Sequence, residues 1–132
     1  MRIQQVSVFV QNEPGHLEDI LKVLESGKVS IRALSVSDTA EFGIVRMILD
    51  KPDAGLESLH KAGYTARMDW MISVEIPDVP GGLLETVAKP MSAAGINIKY
   101  FYAYIGQAGD KKATVVFKPD DIDRAEQILK SA

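Results

Sequence analysis

Asn12-Glu13-Pro14-Gly15-His16-Leu17 and Asp78-Val79-Pro80-Gly81-Gly82-Leu83 are two versions of one loop, half a chain apart. Each follows an apolar, β-branched run and leads into apolar residues at helical spacing. A repeat of this length points to two copies of one small domain.

Ahead of the first loop, Val6, Val8 and Val10 alternate with Gln5, Ser7 and Phe9, the pattern of a half-buried strand over 3–10. Behind it, Pro14 fits the first turn of a helix, where a missing N–H costs nothing. Leu17, Ile20, Leu21 and Leu24 then form one helical stripe, and Gly27 is a stop. Strands follow over 29–36 and 43–49, joined by a turn at 38–41. Asp53 is placed to cap a second helix carrying Leu56 and Leu59. Gly63 ends it, and a strand over 64–69 closes a β-α-β-β-α-β unit.

The second copy opens with a strand over 70–76, with no linker between the copies. Its helix runs from Pro80 with Leu84, Val87, Ala88 and Met91 inward, and Pro90 kinks or shortens it. Strands over 96–105 and 113–117 flank a turn at 106–111. Asp120 or Asp121 caps a last helix with Ile122, Ala125, Ile128 and Leu129. No strand follows it. The expected fold is therefore α+β: two ferredoxin-like β-α-β-β-α-β units in tandem, antiparallel sheets with helices on one face. The units span 1–69 and 70–132, and the second lacks its last strand. That leaves the edge of 70–76 bare, an aggregation hazard. The expectation is that 64–69 rearranges over it, a second copy pairs with it, or it stays short.

Composition narrows the function. The chain has 132 residues and a formal net charge of -3, against the basic footprint of nucleic-acid partners. Tyr100, Tyr102 and Tyr104 alternate along one strand face with Ile96 and Ile98. Aromatic strands can stack RNA bases, but here that face reads as core or interface. There is no cysteine, and no metal-ligand spacing, P-loop or triad, so neither an enzyme nor a metal or cofactor is expected. The N-terminus lacks a signal-peptide apolar stretch, and no run is long enough to span a membrane. The expectation is a soluble cytoplasmic protein.

The repeated order of strand, Asn/Asp-x-Pro-Gly loop, amphipathic helix and Gly95-Ile96-Asn97-Ile98 opening a strand resembles the ACT domain, a small regulatory module that binds amino acids. The resemblance covers nearly the whole chain as two copies. Thr39-Ala40-Glu41-Phe42-Gly43-Ile44-Val45-Arg46 further resembles small stand-alone proteins made of two such units. It implies a non-enzymatic sensor of a free amino acid, a homodimer, and a separate regulated enzyme or transporter. It implies a ligand at an interface between units, between the loop of one and the start of the second strand of another. By position those parts are Asn12, Glu13, Pro14, Gly15, His16 and Leu17; Asp78, Val79, Pro80, Gly81, Gly82 and Leu83; and Ser30 and Asn97 at the strand starts.

The chemistry fits these residue types. A carboxylate suits backbone N–H groups at a helix start, where the dipole is positive. Glycines let backbone approach ligand. The ammonium needs acceptors, which Asn12, Asn97 and Asp78 carry. The first loop with Asn97 has both asparagines and is the preferred combination. His16 stands beside the loop to touch a ligand side chain. The alternative is a scaffold subunit that keeps the fold without a ligand.

Overall fold

The computed structural model describes residues 1–11, 13–38, 42–105 and 111–131. The chain divides into two compact units, Gln4–Asp69 and Met1–Ile3 with Trp70–Ala132.

The first unit holds β1 (Arg2–Gln11), from Gln4 onward, then α1 (His16–Ser26), β2 (Ile31–Asp38), β3 (Phe42–Leu49), α2 (Pro52–Lys61) and residues 65–69 of β4 (Thr65–Pro77). Its strand order is β2-β3-β1-β4. β3 is antiparallel to both neighbours, with Val45 opposite Val8 on one side and Val36 on the other. Val6, Val8, Val45, Met47 and Leu49 pack against Ile20, Leu24 and Leu59 of the helices. This is one apolar strand face meeting two apolar helix stripes.

Gln5 and Ser7 point to the other face and are nevertheless buried. The Gln5 amide donates to Asp69 (3.2 Å) and lies 3.4 Å from the Ser7 hydroxyl. Burial without such bonds is expensive. Arg46 donates to the Ser37 hydroxyl at 3.1 Å.

The second unit holds residues 70–77 of β4, a π-helical turn (Leu84–Ala88), α3 (Lys89–Ala93), β5 (Ile98–Ala103), β6 (Lys112–Pro119) and α4 (Ile122–Ser131). β6 is antiparallel to β4 and β5, with Phe117 facing Ile72 and Phe101. Ile72, Val87, Met91, Phe117 and Ala125 form its core.

The strand beside this edge is one that the three expectations did not name. Met1–Ile3 group with the second unit, and Gln4 opens the first. β1 lies beside β4, and the Met1 carbonyl accepts from the Ser73 N–H at 2.6 Å. Arg2 adds ion pairs to Asp123 and, at 3.3 Å, to Glu126 on α4. The edge has found a strand from the opposite end of the chain. Arg2→Glu is therefore expected to speed hydrogen exchange at the Ser73 amide while leaving α1 protected. Unchanged exchange at Ser73 would contradict that role.

Several local expectations are corrected. Pro14 lies two residues ahead of α1, whose N-cap is Gly15 at φ 94. Asp53 does not cap α2: Lys51 is the N-cap and Pro52 opens the helix. Leu17 and Leu84 are exposed rather than inward. Asp121 caps α4, accepting from the Arg124 N–H at 3.1 Å. In β5 a register shift between Ile98 and Tyr100 breaks strict alternation. Ile98 and Phe101 therefore both pack on the core, and Phe101 stacks against Phe117 at 6.3 Å. The matching shift in β2 falls between Ile31 and Ala33. Each bulge moves the residues beyond it to the opposite face. The turns at 38–41 and 106–111 fall mostly outside the described residues.

Candidate functional site

Both loops make the same sharp turn. Gly15 has φ 94 and Gly81 φ 83, left-handed conformations that cost glycine little. In the first loop Glu13, Pro14, Gly15 and Leu17 are exposed and His16 is half-buried. Asn12 lies outside the described residues. The first intrahelical bond runs from the Asp19 N–H to the Gly15 carbonyl at 3.0 Å. The amides of His16, Leu17 and Glu18 therefore have no partner within their own helix. Glu18 and Asp19 line the first turn, and His16 Nε2 lies 3.5 Å from the Glu13 carboxylate.

The second loop differs in chemistry. Asp78, Val79, Pro80, Gly81 and Leu83 are exposed and Gly82 is buried. The Asp78 N–H donates to the Lys111 carbonyl at 2.7 Å, and the Gly82 N–H to the Val79 carbonyl at 3.0 Å. A Cβ on Gly82 would stand 3.0 Å from the Pro77 carbonyl carbon and closer still to its oxygen. Backbone approach, not an unusual φ, requires glycine there. The Val79 and Leu83 side chains border an open hollow of about 500 Å3.

The two strand starts are built alike. Ser30 donates its N–H to the Asp50 carboxylate (2.8 Å) and accepts at its carbonyl from the Asp50 N–H (3.0 Å). Asn97 does the same with Asp120, at 3.2 and 3.0 Å. Asp50 and Asp120 thus pin the two positions. Sequence reasoning missed them, although an aspartate just after the third strand of each copy was the available signal. Ser30 and Asn97 are both exposed. No hydrogen bond among the described residues engages the Asn97 side-chain amide, and Asn97 borders a hollow with Met91, Ser92 and Gly95.

Loop and strand start do not meet inside the first unit. In the first they flank the 11-residue α1, whose ends are ~16 Å apart. Among the described residues no cluster of three His, Asp or Glu side chains is placed to hold a metal, and no helix is long and apolar enough to cross a membrane. His60 donates its Nε2–H to the Ala66 carbonyl, 2.7 Å away, far along the chain from either loop.

Protein BT0572 from Bacteroides thetaiotaomicron is similar in structure, with TM-score 0.90 and 30% identity over 99% of this chain and 88% of that one. The regulatory subunit of aspartate kinase from Thermus thermophilus, in its ligand-free form, shares the fold at TM-score 0.67 and 16% identity, covering 96% and 88%. Its counterpart from Thermus flavus does so at 0.65 and 15%, covering 96% and 88%. No curated protein matches the chain. The family profile for the ACT domain pair matches residues 1–131. The chain belongs to the ACT domain pair family.

Proposed function

We propose that this protein is a non-enzymatic cytoplasmic sensor that binds a free amino acid and, as a homodimer, regulates a separate enzyme or transporter. Membership of the ACT domain pair family supports the class of function. The observation that carries the site is Asn97. Its backbone is fixed on both sides by Asp120, while no hydrogen bond among the described residues engages its side-chain amide. A strand start that needed the asparagine for its own stability would use that amide, and here the Asp120 carboxylate serves instead.

In this reading loop amides of 13–17 or 79–83 hold the ligand carboxylate, with Pro14, Gly15, Pro80, Gly81 and Gly82 shaping the approach. Asn12 and Asn97, with Ser30 and Asp78 at the equivalent places, receive the ammonium end. An 11-residue helix separates loop from strand start in the first unit, so that unit alone does not bring the two halves together. Ligand binding then changes packing between them, and the partner reads that change.

The test is titration calorimetry on the wild type and Asn97→Ala. Losing a hydrogen bond to a charged group weakens binding by about 1–3 kcal/mol. Unchanged affinity in the variant rejects the assignment of Asn97.

A further inference from the structure

The two copies fall out of step inside one helix. Their left-handed loop glycines, Gly15 and Gly81, are 66 residues apart, whereas the left-handed residues after the helices, Lys28 (φ 58) and Gly95 (φ 71), are 67 apart. The second copy carries one extra residue between these points. It is absorbed at Leu84–Ala88, where the chain makes a π turn and the Lys89 N–H reaches back to the Leu84 carbonyl. Pro90 follows directly. It has no N–H to give the Thr86 carbonyl, which favours a widened turn at this point.

Leu84 and Ala88 belong to the inward stripe by their spacing, yet Leu84 is 50% exposed and Ala88 only half-buried. Ala88 lines two hollows at once. One, of about 500 Å3, is bordered by Val79, Gly81, Gly82, Leu83 and Leu84. The other, of about 420 Å3, holds Ser92 and Asn97. The matched positions of the first copy show how specific this is. Glu13, His16 and Glu18 stand where the second copy has Val79, Gly82 and Leu84. Three polar positions have become apolar or bare around one hollow, and among the described residues no charged side chain lines it.

We propose that the hollow over this π turn is a side-chain pocket for an amino acid with an aliphatic or aromatic side chain, and that Ala88 sets the size it admits. This rests on the amino-acid-binding reading and adds the ligand class and the copy that reads it. A charged ligand side chain would lose water here and gain no partner. An apolar one covers Val79, Leu83 and Leu84, which otherwise face solvent.

The test is calorimetry of the full chain with valine, leucine, isoleucine, methionine and phenylalanine against lysine, arginine, aspartate and glutamate. The apolar set is expected to bind about tenfold tighter or better. Ala88→Leu, which fills the pocket, is expected to lower affinity for the best apolar ligand about tenfold. Leu84→Glu, which copies the residue of the first unit at an exposed position, is the second variant. It is expected to fold and to lose affinity similarly. Tightest binding by a charged amino acid, or unchanged affinity in a folded Leu84→Glu, overturns the pocket while leaving the sensor reading in place. No binding by any amino acid overturns both.

Discussion

Phe117→Ala is expected to destabilise the protein by about 3–5 kcal/mol, the range for truncating a fully buried phenylalanine. Phe117 is fully buried in β6. It faces Ile72 on β4 and Phe101 on β5, joins the cluster of Val87, Met91 and Ala125, and stacks on the Phe101 ring at 6.3 Å. Its neighbours come from a three-strand layer and three helical segments, so the void has little freedom to collapse. Urea unfolding monitored by circular dichroism measures the loss. A cost below about 1 kcal/mol would mean that the site relaxes freely, contrary to interiors packed at crystal-like density.

The second large effect is expected at Gly82. An added methyl would press into the Pro77 carbonyl, so β4 or the helix start must move. Overpacking against backbone is expected to cost about 3 kcal/mol, the upper part of the usual range. Gly81→Ala provides the contrast. Nothing lies within 4 Å of its added Cβ, but its φ of +83 is left-handed, so about 1–2 kcal/mol is expected. A thermal melt of the two variants separates the mechanisms. If Gly81→Ala proves the more damaging, the close approach at Gly82 is not what shapes this loop.

These residues show what a sequence can reveal here and what it cannot. The repeat was legible because alternation in Val6, Val8 and Val10, a proline-glycine loop, and a helical stripe recur in order. Local patterns of that kind report local structure directly. The glycines were legible as loop residues. That Gly81 serves conformation and Gly82 serves space was not, because the second depends on the Pro77 carbonyl. The closing strand of the second unit was illegible for a related reason. Met1–Ile3 pair with a segment some seventy residues away, and alternation does not state its partner.

Tyr102 is buried, but the tyrosines do not share the face of Ile98, because the bulge after Ile98 adds one residue to a period of two. Leu84 was misread for the corresponding reason in a helix, since the π turn adds one residue to a period of 3.6. In both cases a one-residue insertion reverses an inside-outside assignment while leaving composition untouched. The Asp50 and Asp120 clips were present in the sequence as a repeat. Asp120 is legible first as a helix cap rather than as a strand anchor, and Asp50 is passed over in favour of Asp53 for the same reason. Within the candidate site, the loops and strand starts follow from motif and position. How an 11-residue helix separates them follows only from the structure.

The most direct test is a thermal-shift screen of the purified protein against all twenty amino acids, with each hit repeated as its D-enantiomer. A ligand that binds only the folded state raises the melting temperature by mass action, by an amount worth about 2.7 kcal/mol at a hundred times its dissociation constant. The account predicts a stereospecific rise with one amino acid or a closely related group. A flat panel, with calorimetry equally silent, would contradict amino-acid sensing and leave a scaffold built on the same fold.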